Sequence, residues 1–379
     1  MTRLDDPGAY AIDASGMFGH IEKLGEEFER AWLASLSLGV PGASYDSVVI
    51  AAMGGSAAAG DYFAAHSDKQ APIPIEVVRG YSLPAHAGPR TLVVALSYSG
   101  ATEESLSCYR EARMRGASVM AISTGGELAR RAEADGIHWH RIAYASPPRA
   151  ALGHTLAALM RIGQRLGLNA LCDPDVADVA QAHRELVRGH VGRKVAAERN
   201  PAKQLAELLA EADPLVVLAA EHLAPVGRRT KNQFAENAKA VAVFEEVPEA
   251  THNFVVGLET GQVAHPVGLA FTSPKASVGN QRRFELLSGS STRRVVRWRG
   301  CQLAESRGWR TSSRRQRGAT TCRATWPCCE GLTPLRRRAC SASVRQWLRR
   351  PPGEPEDARP RVRANAARMR GHFSRGWTR

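Results

Sequence analysis

Three groups of residues in this 379-residue chain have the types and spacing to do chemistry. The first is a set of small, hydroxyl-bearing turns: "MGGS" at 53–56, "SYSGAT" at 97–102 and "STGG" at 123–126. Glycine lets the backbone approach an anion, the amides opening a following helix are unpaired donors, and Ser and Thr hydroxyls add more donors. The same residues also serve as ordinary helix caps. "SYSGAT" sets Ser97, Ser99 and Thr102 around Gly100, more hydroxyls than a cap requires. None of the turns is a Walker loop or a GxGxxG fingerprint, so a small phosphorylated ligand is favoured over a nucleotide.

The second group is "KNQFAENAKAVAVFEEVPEATHNF", with Glu236 beside Asn237 and Lys239, and His252 sixteen residues on. Taken singly these are solvated surface groups. Brought together, a carboxylate and an imidazole could divide the two proton transfers of a sugar isomerisation, ring opening and hydrogen movement between adjacent carbons.

The third group is "TCRATWPCCEGLTPLRRRAC" at 321–340, which invites a metal or a nucleic-acid reading. Its surroundings argue against both. Residues 291–379 hold 23 Arg, no Lys and 5 acidic residues, while residues 1–290 hold 28 basic against 32 acidic. The net charge of +14 therefore belongs to the tail, and the body is mildly acidic. Only Cys108 and Cys172 lie in the body, which suits a reducing compartment without disulfides. The body has no HExxH and no paired CxxC, so no metal or other cofactor is indicated. His138 and His140 alternate on one strand face and read as structural.

The elements that must carry these groups follow a repeated plan. "DSVVIAAMGGS", "TLVVALSYSGATEESL" and "ASVMAISTGGELARRA" each run from an apolar strand through a small-residue turn into a helix. Continuous apolar strands joined by helices imply a parallel sheet covered on both faces, so a doubly wound α/β domain is predicted over about 40–168. "ADPLVVLAAEHLAPVGRRTKNQFAENAK" and "VGLAFTSP" start a second unit of similar plan. In such sheets ligands bind at the carboxyl ends of the strands, where all three turns lie. No run of about 18 apolar residues and no signal-like segment occurs, which predicts a cytoplasmic protein with no membrane partner.

The ordered series "MGGSAAAGD", "SYSGATEESL", "STGGELARRA", "PPRAAL", "NQFAENAK" and "PEATHNF" resembles the bifunctional phosphoglucose/phosphomannose isomerases, which have two sugar isomerase (SIS) domains. The resemblance covers residues 1–287. It implies reversible conversion of glucose 6-phosphate and mannose 6-phosphate to fructose 6-phosphate by a metal-independent cis-enediol route. By match, Gly55, Ser56, Ser97, Ser99 and Thr102 would hold the phosphate, Pro148 and Arg149 would border the sugar, and Arg149 would steady enediolate charge. Glu236 would move the proton between C1 and C2. His252 would assist ring opening in a neighbouring subunit's site, which implies a homodimer. Gln233 and Ala235 depart from the family's usual "KNEFNENAK".

The expected layout is an N-terminal SIS domain with leading helices at 1–170, a truncated C-terminal SIS domain at 171–287 and a poorly ordered Arg-rich tail at 288–379. The resemblance also implies a closing "DPTP" and a late lysine, and this chain has no Lys after Lys275. An Arg-rich, Lys-free stretch bearing Cys and Trp is what GC-rich coding DNA yields out of frame. For permitted codons, moving the frame back one base turns "GATTCRATWPCCEGLTPLR" into "GDYVSGYLALLRGVDPTP". A frameshift near Leu287 to Ser291 is therefore expected, with an inactive isomerase as one consequence. The alternatives are a non-catalytic SIS module that binds a sugar phosphate and a nucleic-acid binder using the basic tail.

Overall fold

The computed structural model describes residues 3–289 apart from 43, 69, 211, 213 and 259–265, together with 297–302 and 322–323. Helices α1 (Met17–Glu22) and α2 (Leu24–Ala34) lead into β1 (Ser47–Ala51), α3 (Gly54–Ser67), β2 (Ile75–Val78) and β3 (Thr91–Leu96). There follow α4 (Glu103–Met114), β4 (Ser118–Ser123), α5 (Gly126–Ala134), β5 (His138–Arg141), α6 (Leu152–Arg165), α7 (Asp173–Leu186) and α8 (Pro201–Leu209). The second half holds β6 (Leu215–Ala220), α9 (Ala224–Gln233), β7 (Ala242–Val247), α10 (Phe254–Leu258), β8 (Val267–Thr272) and α11 (Val278–Gly289). Strands β9 (Arg297–Gln302) and β10 (Cys322–Arg323) complete the described elements.

Both sheets are parallel throughout, in the orders β2-β1-β3-β4-β5 and β10-β9-β8-β6-β7. Numbered within each half, the two orders are the same. The expected pair of doubly wound units is what the chain forms. Every residue of β1, β3 and β6 is buried, because helices cover both faces of these central strands. Each buried Val, Leu or Ile is worth roughly 1.5–3 kcal/mol over leaving it exposed.

The expected elements stop at Leu287, yet β9 pairs with β8 from Val267↔Arg297 to Thr272↔Gln302. Its sequence, RWRGCQ, carries no apolar run, so apolar patterning gave no signal for it. Most of the stretch readable as an out-of-frame helix and "DPTP" lies outside the described residues.

One core joins the halves. Leu156, Leu159 and Ile162 of the almost wholly buried α6 belong to the same apolar cluster as Val48 and Ile50 of the first sheet and Leu215 and Val217 of the second. Helix α3 packs against both α6 and α9, and Ala57 and Ala59 keep its buried face small. Polar ties reinforce the join. Asp61 of α3 accepts from Arg79 and from Arg228 of α9. Lys203, 6% exposed, donates to Asp5 at 3.0 Å.

Candidate active site

The first sheet's order reverses between β1 and β3, since β1 is followed by β2 on one side and the chain then crosses to β3 on the other. Ligands bind at such switch points, at the carboxyl ends of the strands. The turns leaving β1 and β3 are "MGGS" and "SYSGAT", and the turn leaving β4, "STGG", adjoins them. None of α3, α4 and α5 has a side-chain cap on its first amides.

The three turns are fastened to one another. The Tyr98 amide donates to Ser56 Oγ at 3.3 Å, linking the first two. Thr124 donates to the Tyr98 carbonyl through its amide at 2.9 Å and its hydroxyl at 2.8 Å, linking the second and third. Gly100, at φ +69°, lies so near Gly125 that a Cβ would fall 1.8 Å from the Gly125 carbonyl oxygen. Only glycine fits there. Inside "SYSGAT", Ser97 Oγ accepts from the amides of Gly100 at 3.0 Å and Thr102 at 3.4 Å and pairs with Thr102 Oγ1 at 2.7 Å. Ser99 Oγ, on the exposed side, accepts from the Ala101 amide at 3.2 Å.

Pro148 and Arg149 form a short turn directly against "MGGS". A Cβ on Gly55 would stand 3.0 Å from the Pro148 carbonyl oxygen and 3.2 Å from Arg149 Cα. The second half grips this turn from the other side. Arg149 Nε donates to Asn237 Oδ1 at 2.6 Å, Asn237 Nδ2 donates to Gln233 Oε1 at 2.7 Å, and buried Arg229 donates to the Arg149 carbonyl at 2.8 Å. Gln233 thus orients the amide that orients Arg149. Glu236 is exposed, one residue from Asn237 in the π-turn Phe234–Ala238 that ends α9. Lys239, at φ +54°, closes that turn by donating to the Glu236 carbonyl at 2.6 Å.

Gly55, Ser56, Ser97, Ser99, Thr102, Pro148 and Arg149 therefore belong to one connected neighbourhood, which Glu236 adjoins as the residue before Asn237. His252 does not. Helix α9 leaves the carboxyl end of β6 and runs back along the sheet, so Glu236 lies toward the amino edge. The chain then traverses all of β7, about 20 Å at 3.3 Å per residue, before reaching exposed His252. Among the described residues no hydrogen bond joins their side chains.

Some polar residues of this region carry no motif signal. Arg229 and Glu221 are two. At the second sheet's own switch point, between β6 and β8, the Glu221 carboxylate accepts from the Ser277 amide at 2.9 Å and from Asn280 at 2.8 Å, at the start of α11. Those hydrogen bonds, from Ser277 first, hold its carboxyl below the usual range. In the second half the chain's own carboxylate takes these donors, whereas α3, α4 and α5 of the first half carry no side-chain cap. His138 and His140 are on β5, with the His138 ring against Gly39, in keeping with a structural role. Among the described residues no group of three His, Cys, Asp or Glu could hold a metal ion. No described helix is long and apolar enough to cross a membrane.

Residues 43–159 match the SIS domain family, and residues 198–308 match the family described as the bacterial phospho-glucose isomerase C-terminal SIS domain. The bifunctional phosphoglucose/phosphomannose isomerase of Caldicellulosiruptor bescii is 35% identical over 255 residues, 67% of this chain and 74% of that one. The chain belongs to the bifunctional phosphoglucose/phosphomannose isomerase family. The namesake from Thermoplasma volcanium is 31% identical over 216 residues, 57% of this chain and 64% of its own length. Glucosamine-6-phosphate deaminase from Thermotoga maritima shares the fold, with a TM-score of 0.60 at 13% identity over 84% of this chain and 92% of that one. Within this isomerase family the match to the C-terminal SIS domain runs past Leu287 and takes in β9.

Proposed function

We propose that this chain interconverts glucose 6-phosphate and mannose 6-phosphate with fructose 6-phosphate. The observation that carries the reading is the switch-point crevice. Its uncapped helix starts and its hydroxyls can receive a phosphate, and its opposite wall is a guanidinium held by the second half. Gly55, Ser56, Ser97, Ser99 and Thr102 bind the phosphate and so fix the sugar's far end. The open-chain aldose then presents C2 to Glu236, which takes that proton, exchanges it with solvent and delivers a proton to C1 of the enediol. Arg149 meets the negative charge that develops on O1 and O2 between the two transfers. No metal takes part in this route, and its net proton balance is zero.

His252 supplies the ring-opening proton transfer from a second copy of the chain. The length of β7 between Glu236 and His252 supports this, because one chain presents them at opposite edges of the second sheet. The working form is a homodimer. Cysteines 108 and 172 are free thiols, which agrees with placement in the cytoplasm. The proposed layout keeps 1–170 as the N-terminal SIS domain and begins the C-terminal one at 171.

Mixing two inactive variants tests the reading. Glu236→Gln and His252→Asn chains, refolded together, regain about a quarter of wild-type turnover if each site draws on both subunits, because half the dimers are mixed and each has one intact site. No recovery from the mixture would show that both residues act from the same chain. No turnover of fructose 6-phosphate by the unaltered chain would favour a sugar-phosphate-binding module.

A further inference from the structure

Tyr98 is the residue of the crevice that the isomerase chemistry leaves without a task. It stands between Ser97 and Ser99, and each of its polar groups is spent on a different wall. Its amide is tied to Ser56 and its carbonyl to Thr124. Its hydroxyl donates to the Tyr144 carbonyl at 2.6 Å and accepts from the Ser146 amide at 2.9 Å. The phenol therefore clamps the strand-to-turn segment that delivers Pro148 and Arg149. That segment is held from beneath as well. The Tyr144 hydroxyl pairs with His20 Nδ1 at 2.6 Å, its ring stacks on His154 at 4.3 Å, and His154 pairs with Glu27 at 3.0 Å. Burial, then the Glu27 charge, pushes the Tyr144 phenol up to about 12, so it stays neutral at working pH.

We propose that Tyr98 is a positioning residue, transmitting phosphate occupancy of the "SYSGAT" turn to the placement of Arg149. The inference rests on the isomerase reading of the same crevice. A phosphate seated on Ser56, Ser97 and Thr102 fixes the turn, the turn fixes the phenol, and the phenol fixes residues 144–149. Binding energy from a part of the substrate that does not react is thereby used to orient a group that meets the reacting carbons.

Tyr98→Phe keeps the ring and removes only the clamp. In steady-state turnover of fructose 6-phosphate it lowers kcat about tenfold and leaves KM within about twofold. In an Arg149→Lys background the same substitution costs less than about twofold, because a residue acting through Arg149 has little left to position. Equal losses in both backgrounds, or an unchanged kcat, would overturn the assignment. Hydrogen exchange at the Ser146 amide gives a reading that needs no turnover. Inorganic phosphate slows that exchange about tenfold in the unaltered chain and leaves it unchanged in Tyr98→Phe. An equal effect of phosphate on both proteins sinks the proposal. Absence of turnover in the unaltered chain contradicts the isomerase reading alone, and the exchange measurement then decides the role of Tyr98.

Discussion

Gly55→Ala separates positioning from folding more cleanly than any change to a charged residue of the site. The new Cβ would meet the Pro148 carbonyl oxygen at 3.0 Å and Arg149 Cα at 3.2 Å. Ordinary contact begins near 3.4 Å, so the Pro148–Arg149 turn must withdraw by a few tenths of an ångström. The Arg149 to Asn237 bond, at 2.6 Å, can lengthen by that much and survive. The site stays assembled with its guanidinium displaced. A 1 Å misplacement of a catalytic group costs on the order of 100-fold, which scales to about sixfold in kcat for a shift of about 0.4 Å. Stability moves the other way. Gly55 lies in the first turn of α3 without a positive φ, so alanine brings up to about 1 kcal/mol of helix propensity, offsetting the tight contact. The assay is kcat and KM for fructose 6-phosphate beside a thermal melt. The expected result is about sixfold slower turnover with Tm within about 3 °C of the unaltered chain. An unchanged kcat would show that this contact does not place Arg149. A fall in Tm of more than about 8 °C would show that the turn cannot yield and that the loss comes from misfolding.

Gly100→Ala makes the contrasting case, because the Cβ overlaps the Gly125 carbonyl and φ is +69°. It should cost at least about 2 kcal/mol in urea denaturation and abolish phosphate binding in a titration. A second prediction concerns acid. Burial pushes His183 down to about 4 from its ordinary 6.5, and its Nδ1 accepts from the Gly25 amide at 3.3 Å. Above pH 6.5 the ring is neutral in both states. As pH falls from 6.5 toward 4 the unfolded chain takes up a proton that the native chain refuses, so stability drops by about 3 kcal/mol across that window. Urea melts at pH 7 and pH 4.5 should show that loss in the unaltered chain and a clearly smaller one in His183→Gln, and equal losses would place the acid sensitivity elsewhere.

The turns at the carboxyl ends of β1, β3 and β4 were legible because glycine and hydroxyl residues are informative locally, where an apolar strand ends and a helix begins. The two-sheet plan followed from apolar runs for the same reason. The ties that make those turns a site were not legible. Tyr98 to Ser146, Arg149 to Asn237 and Arg229 to the Arg149 carbonyl join residues 48, 88 and 80 positions apart. Such pairings depend on how distant segments pack, the last two across the two halves, rather than on any local pattern. Glu221 was missed because a single carboxylate after a strand looks like a solvated group until α11 is brought to meet it. Strand β9 was missed because RWRGCQ carries no run of apolar residues like those of the other central strands, and its assignment comes from register with β8. His252 shows the opposite limit. Its motif is plain in the sequence, yet the fold sets it a strand's length from Glu236, so the resemblance required a second chain before the geometry of one chain could be understood.

Proton transfer by Glu236 between C1 and C2 of a sugar phosphate bound at the first switch point would leave an isotopic record in the product. Incubation of the chain with fructose 6-phosphate in deuterated water, followed by NMR of the products, measures this directly. The expected products are glucose 6-phosphate and mannose 6-phosphate carrying deuterium at C2, formed about 1000-fold more slowly by Glu236→Gln. Fructose 6-phosphate left unconverted by the unaltered chain, or aldoses formed at the same rate by Glu236→Gln, would contradict that transfer.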